Sequence, residues 1–192
     1  MSEITLNQKQ WNVLTKTRET RADGGVLSCI GFWPSTGSFA STDRYIVATY
    51  GEKPEGAPEV VIPKDAIDWM TNQFKGTRNS NLNVEIVNDE DANLITVTVG
   101  PASASFFPER REFPPLFQLF PDPPKDPQIG PRLGFSSHVW RKLASFTQNE
   151  NFTLESTADN SAGTQAKMLT GEIHGVTIGV MPIRQPRRND NE

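Results

Sequence analysis

A strand pattern runs directly into a helix pattern in the stretch Val60-Val61-Ile62-Pro63-Lys64-Asp65-Ala66-Ile67-Asp68-Trp69-Met70. The β-branched residues at its start predict a short buried strand. Proline follows them and is tolerated at the start of a helix, because the amide hydrogen that it lacks has no partner inside the helix there. Apolar residues then recur at three- and four-residue spacing through Phe74, and Gly76 ends the pattern. The stretch therefore predicts a strand followed by an amphipathic helix over 64–75.

The same order of elements recurs on both sides of this stretch. Ile4-Thr5-Leu6 precedes a predicted helix over 7–21 that Asn7 caps, and Arg132-Leu133-Gly134-Phe135 precedes a helix capped by Ser136 or Ser137. Strands are predicted after each helix. After the first helix they are 26–33 and 38–49, with a turn at 34–37. After the second helix they are 82–87, 94–99 and 104–107. After the third helix they are 152–156, 167–173 and 176–181, with a hairpin turn at His174-Gly175.

When the three units are aligned on the strand that precedes each helix, Trp11, Ile67 and Trp140 occupy equivalent positions. Leu14, Met70 and Leu143 do so as well. This equal offset favours a repeat over three unrelated pieces that share an order of elements. The sequence therefore predicts an α+β fold of repeated strand–helix–strands units, with the helices on one face of antiparallel sheets.

Composition argues against several functional classes. The chain has 192 residues, one cysteine, no apolar run long enough to span a membrane, and no secretion signal, so we expect a cytoplasmic protein. The two histidines are far apart, no nucleotide-binding or nucleophile motif is present, and Asp89-Glu90-Asp91 fits a solvated hairpin loop better than a metal site. We expect no enzyme, no metal and no cofactor; a hydrolase or nuclease is the most remote alternative.

Charge is divided unevenly between the helices and the rest of the chain. The net charge is −4, but the helical segments 7–21, 64–78 and 136–148 carry nine basic and three acidic residues, which leaves −10 elsewhere. The basic residues are Lys9, Lys16, Arg18, Arg21, Lys64, Lys75, Arg78, Arg141 and Lys142. Helices that share a surface would make it positive and suited to phosphates. The alternative, that surface helices simply carry Lys and Arg, stays open.

Four short strings occur within this repeat: Ala40-Ser41-Thr42-Asp43-Arg44-Tyr45-Ile46-Val47-Ala48, Val60-Val61-Ile62-Pro63-Lys64, Glu112-Phe113-Pro114-Pro115-Leu116-Phe117-Gln118-Leu119-Phe120-Pro121 and Val180-Met181-Pro182-Ile183-Arg184. In this order they resemble motifs of the bacterial sliding clamp, the β subunit of DNA polymerase III. The resemblance implies a DNA-clamp fold of about one and a half clamp domains, in a shortened and phage-encoded version of the family. Residues 1–121 resemble the complete middle domain, 122–131 a Pro-rich connector, 132–184 the second half of the last domain, and 185–192 a polar tail.

The resemblance also implies a pocket that binds partner peptides. Residue by residue it would include Leu27, Thr42, Arg44, Tyr45, Ile46, Val47, Pro114, Gln118, Leu119, Val180, Met181, Pro182, Ile183 and Arg184. Apolar pockets of this kind bind extended peptides through their aliphatic and aromatic side chains. The chain departs from the family pattern in having Arg44 for glycine, Ile46 for arginine and Pro115 for aspartate, which implies a bulkier, less polar pocket.

The function implied is that of a non-catalytic processivity factor. Such a clamp encircles double-stranded DNA through the basic helix residues, without reading sequence, and tethers DNA polymerase and clamp-loader peptides. The family's rings present twelve helices, which a three-helix chain would supply as a homo-tetramer. The alternative is a soluble decoy or adaptor that binds clamp-binding peptides of host replication proteins without encircling DNA.

Overall fold

The computed structural model describes residues 4–21, 23–77, 80–120, 136–147, 152–156 and 168–181. The first unit contains β1 (Ile4–Leu6), α1 (Gln8–Thr17), β2 (Ile30–Trp33), β3 (Ser38–Thr42) and β4 (Ile46–Tyr50). The second contains β5 (Val60–Ile62), α2 (Lys64–Phe74), β6 (Leu82–Asp89), β7 (Leu94–Val99) and β8 (Ala102–Phe106). The third contains α3 (Ser137–Thr147), β9 (Glu155–Ser156), β10 (Leu169–Ile173) and β11 (Val176–Val180). Short 3₁₀ turns cover Gly25–Ser28 and Leu116–Leu119.

Each helix begins at the residue that its local chemistry favours. The Asn7 side chain accepts a hydrogen bond from the Gln10 amide, and the Gln10 side chain accepts one from the Asn7 amide, both at 3.0 Å. This reciprocal capping box satisfies two amides that have no partner within α1. Pro63 precedes α2, and the Ser136 hydroxyl accepts from the Val139 amide at the start of α3.

The first two units complete each other by exchanging their first strands. β1 pairs antiparallel with β6 of the second unit, giving a four-stranded sheet in the order β1-β6-β7-β8. β5 pairs antiparallel with β2 of the first unit and so joins β2-β3-β4. Neither unit forms its sheet from its own strands alone.

The third unit extends the sheet of the first. β11 pairs antiparallel with β4, with Ile46 opposite Val180, which gives a seven-stranded sheet in the order β5-β2-β3-β4-β11-β10-β9. His174 and Gly175 both have positive φ and form the predicted hairpin turn between β10 and β11.

The main core lies between the helices and the sheets. α1 packs against both α2 and α3 and against β3 and β4. Trp11 of α1 stacks on Phe74 of α2 at a centroid distance of 5.6 Å, and its indole N–H donates to the Thr71 hydroxyl at 2.9 Å. The helices therefore share one side of the fold, as the repeat predicts. In the described part of the chain, no helix is long and apolar enough to cross a membrane.

Several predicted boundaries were wrong. α1 ends at Thr17 and not at 21, because Arg18 is extended and its guanidinium binds the Ser28 carbonyl and the Asp68 carboxylate. The predicted strand 26–33 starts only at Ile30, after a 3₁₀ turn. The predicted strand 38–49 is a hairpin, β3–β4, and the predicted strand 152–156 shortens to Glu155–Ser156. The strand 132–135, the connector 122–131 and the tail 185–192 lie outside the described residues.

Candidate functional site

The seven-stranded sheet has two buried faces. Ile46, Ala48 and Val180 point towards the helices and belong to the main core. The opposite face carries a second cluster, called here the outer cluster, formed by Cys29, Trp33, Ala40, Val47, Val61, Phe113, Leu116 and Phe117. The segment 113–120 covers this face, and the Trp33 and Phe117 rings meet edge to face at 5.0 Å. Cys29 is 2% exposed within this cluster, and burial raises the pKa of its thiol.

A pinned turn joins β3 to β4 beside the outer cluster. The Asp43 carboxylate oxygen Oδ1 accepts hydrogen bonds from the amides of Tyr45 and Ile46, at 3.0 and 2.8 Å. The Thr42 hydroxyl donates to the Ile46 carbonyl and accepts from the Arg44 amide. These bonds hold Arg44 at a φ of 81°. Positive φ disfavours residues with a Cβ, so the turn places arginine where glycine has lower energy.

We expect Arg44→Gly to raise the free energy of unfolding by about 1 kcal/mol, because glycine adopts this φ without a steric penalty. Urea denaturation followed by tryptophan fluorescence measures the change. Arg44→Ala is the matched control: it removes the same side chain and keeps the strained backbone. Equal stabilisation by both variants would contradict a backbone origin.

The pair of β4 and β11 brings some of the predicted peptide-pocket residues together. The Met181 amide donates to the Tyr45 carbonyl at 2.9 Å, and the turn that contains Leu119 packs against β3 and β4. Tyr45, Leu119 and Met181 are all large, apolar and about half exposed. These three residues, called here the apolar rim, are suited to contacting a partner's side chains.

The other predicted pocket residues have varied positions. Leu27 and Pro114 are half-buried, and Arg44 and Gln118 are exposed. Thr42 and Val47 are buried, whereas the side chains of Ile46 and Val180 face the helices and cannot line a pocket on the outer face. Pro182, Ile183 and Arg184 lie outside the described residues.

Phe120 and Met168 cover the centre of the β4–β11 pair. A Cβ added to Gly179 would lie 3.0 Å from Cε1 of Phe120 and 2.5 Å from Sδ of Met168. A larger residue at position 179 would therefore make the Met168 and Phe120 side chains shift from the strand. The exposed part of the predicted pocket is thus the apolar rim together with Arg44 and Gln118.

A buried ion pair joins α3 to the pinned turn. Nζ of Lys142 lies 2.5 Å from Oδ2 of Asp43, and their side chains are 14% and 3% exposed. Lys142 also donates to the carbonyls of Thr17 and Arg18, at 3.3 and 3.4 Å. Nε2 of His138 lies 3.5 Å from the same Asp43 oxygen, and the His138 ring meets the Tyr45 ring. The third unit is therefore held to the first by charge as well as by strand pairing.

Comparison with solved structures relates this geometry to known proteins. DNA polymerase III subunit beta from Borrelia burgdorferi, in complex with a natural product, matches with a TM-score of 0.62 and 10% identity over 97% of this chain. The sliding clamp of Bartonella birtlesii bound to griselimycin gives 0.64 and 12% over 95%, and that of Pseudomonas aeruginosa with ligand gives 0.52 and 10% over 97%. The chain has the sliding-clamp fold. It spans 64% to 66% of the length of these clamps. No family model and no curated protein matches the sequence.

The predicted DNA-facing residues differ in their exposure to solvent and in their contacts within the chain. Lys16, Arg21, Lys64, Lys75 and Arg141 are exposed, and Lys9 is half-buried. Arg18 binds Asp68 at 3.0 Å, Lys142 is the partner of Asp43, and Lys16 donates to the Ser145 carbonyl at 2.9 Å, so these three have structural contacts. Arg78 lies outside the described residues. The exposed cations are therefore the better candidates for contacting phosphates.

A cavity of about 440 Å³ borders the outer cluster at Val61 and Phe113, where the sequence predicted no site. It is lined by the segments 57–61 and 108–113 and by Asn88, Glu90 and Asn93. Hydrogen bonds from Arg111 hold the pKa of the Glu109 carboxyl at about 2. Loops form most of this cavity, and they carry no periodic pattern that could have predicted it. Within the described ranges, no group of three or more His, Cys, Asp or Glu side chains is placed to hold a metal.

Proposed function

We propose that the chain is a non-catalytic sliding clamp that encircles double-stranded DNA. The observation that carries this proposal is a fold match over nearly the whole chain, in which the helices share one side. Exposed Lys16, Lys64 and Arg141 lie on those helices and Lys75 follows the last residue of α2, although the net charge of the chain is −4. Such cations attract phosphates without reading sequence, and a closed ring then holds DNA without tight binding.

The proposed partner on the outer side is an extended peptide of a DNA polymerase or clamp loader. The apolar rim offers aromatic and aliphatic contacts beside the pinned turn. Extended peptides bind such surfaces through alternate apolar side chains. The clamps from Borrelia burgdorferi and Bartonella birtlesii were solved with a natural product and with griselimycin bound, which supports the presence of a ligand site somewhere on this fold.

The proposed organisation follows the resemblance of the sequence to clamp domains. Residues 1–121 act as a complete clamp domain and 132–184 as half of another, and copies of the chain close a ring, a tetramer if twelve helices are needed. The phage origin and the cytoplasmic location stay predictions from the sequence.

A trapping experiment on linear duplex DNA tests encirclement without a clamp loader. The protein is added to DNA that carries one blocked end, and the second end is then blocked with streptavidin or left open. We expect retention at high salt only when both ends are blocked, because a ring leaves DNA by sliding off an end.

Equal loss from both DNAs would contradict encirclement. If the chain still bound a clamp-binding peptide under those conditions, the result would indicate the soluble decoy or adaptor. If the purified protein were neither retained on DNA nor able to bind a clamp-binding peptide, both proposed functions would be contradicted.

A further inference from the structure

Arg44 is an exposed cation beside the apolar rim. It occupies the pinned turn directly before Tyr45, whose carbonyl accepts the Met181 amide and so ties the turn to the residue that follows β11. The same turn contains the Asp43 carboxylate, but that side chain is 3% exposed. The pinned turn therefore presents a positive charge to solvent at the rim, and its negative charge is buried.

The buried carboxylate of the turn is already occupied by other groups. Oδ1 of Asp43 accepts hydrogen bonds from the amides of Tyr45 and Ile46, and Oδ2 lies 2.5 Å from Nζ of Lys142. Lys142 therefore compensates the charge of Asp43. In the part of the chain that the structure describes, the guanidinium of Arg44 makes no hydrogen bond and no ion pair. Its charge is left for a group outside the chain.

The backbone of the turn gives no reason for an arginine at this position. Glycine adopts the φ of 81° without strain, whereas a residue with a Cβ disfavours it. The Arg44 side chain makes no polar contact within the described residues that would offset this cost. Strained residues of this kind are concentrated at binding sites, where the surrounding structure holds them in place. The strain therefore points to a role of the side chain in contacting a partner.

We propose that Arg44 selects partner peptides that carry an aspartate or glutamate beside their apolar residues. The inference rests on the peptide site of the proposed function and names the kind of peptide that this site prefers. A guanidinium presents parallel N–H donors that match the two oxygens of a carboxylate. A peptide whose apolar side chains contact Tyr45 brings its neighbouring residues close to Arg44. The apolar rim then holds the peptide, and Arg44 discriminates between peptides of similar hydrophobicity.

Fluorescence anisotropy with matched pairs of labelled peptides tests this preference. The two peptides of a pair share their aliphatic and aromatic residues and differ at one position, which is glutamate in one and glutamine in the other; each position is tested in turn. The ratio of the two dissociation constants measures the preference for the carboxylate. We expect the wild type to bind the glutamate peptide of at least one pair about fivefold more tightly at low salt, as an exposed ion pair allows.

Three variants show whether Arg44 is the origin of the preference. Arg44→Gln removes the charge and keeps a polar side chain, so the ratio should fall to about one. Arg44→Lys keeps the charge without the paired donors and should keep part of the preference. Lys53→Gln removes the same charge from the exposed loop after β4, at the opposite end of the β3–β4 hairpin, and should leave the ratio unchanged. Because both peptides are measured on the same protein, the ratio does not depend on the fraction that is folded.

The outcomes separate this inference from the proposed function. If Arg44→Gln keeps the preference, if Lys53→Gln loses it as well, or if the wild type binds both members of every pair equally, Arg44 does not select the peptide, while the peptide site stands. If the wild type binds no peptide of the set, the inference and the peptide site both fall. If Arg44→Gln weakens binding to open-ended DNA and leaves the ratio unchanged, the arginine contacts DNA and the inference is wrong.

Discussion

Replacing Lys142 by methionine should lower the free energy of unfolding by about 3–5 kcal/mol, because it leaves the Asp43 carboxylate buried without its cation. Asp43 is 3% exposed, and Lys142 is its charged partner at 2.5 Å. The methionine side chain has a volume similar to that of the aliphatic part of lysine. The loss of stability therefore comes mainly from the unpaired charge. Urea denaturation at constant pH measures the loss.

A double-mutant cycle separates the ion pair from its two members. Asp43→Asn keeps an oxygen acceptor for the Tyr45 and Ile46 amides, and Asp43→Asn with Lys142→Met removes both charges together. We expect the double variant to recover much of the stability lost in Lys142→Met, because no isolated charge remains buried.

The Arg18–Asp68 pair is the matched control. Its carboxylate is 53% exposed and is screened by solvent. Arg18 is only 12% exposed but keeps its bond to the Ser28 carbonyl, so we expect Asp68→Asn to cost no more than about 1 kcal/mol. If Lys142→Met cost as little as Asp68→Asn, the buried pair would not be holding the third unit to the first.

The amphipathic pattern of the helices could be predicted from the sequence because it depends on local spacing. Pro63, Asn7 and the apolar positions three and four residues apart place α1 and α2 correctly to within a few residues, and the sliding-clamp resemblance is confirmed at the level of the fold. The exchange of β1 and β5 could not be predicted, because strand pairing between distant segments leaves no local pattern.

The site was harder to predict, for reasons that particular residues show. The position of Lys142 on a basic helix predicts a cation that faces DNA. Its partner Asp43 is 99 residues away in the chain, so the ion pair leaves no local pattern in the sequence. The two faces of a strand alternate, so a pocket that includes Val47 cannot also use the side chain of Ile46. That alternation was present in the sequence and could have excluded Ile46. The cover of Phe120 over Gly179 depends on tertiary packing, which no spacing shows.

Charge reversal on the helices and introduction of a charge into the apolar rim should weaken different activities. Lys64→Glu with Arg141→Glu should weaken binding to open-ended DNA at low salt more than tenfold and make its salt dependence shallower, whereas a ring already trapped on end-blocked DNA should stay on it. Each lost phosphate contact lowers the slope of log affinity against log salt by about 0.9. Both residues are exposed, so these changes leave the core intact. Binding to open-ended DNA measured over a series of salt concentrations gives the slope.

The rim variants Leu119→Glu and Met181→Glu should instead weaken an aliphatic and aromatic clamp-binding peptide more than tenfold, because a carboxylate in the contact must be desolvated. Fluorescence anisotropy of a labelled peptide measures this loss, and DNA retention should be unchanged. Lys53→Glu, in an exposed loop off the helices, is the control for the DNA side, and Val87→Glu, exposed on the four-stranded sheet, is the control for the rim. If helix and rim variants weakened both activities alike, the proposal of two separate surfaces, one for DNA and one for peptide, would be wrong.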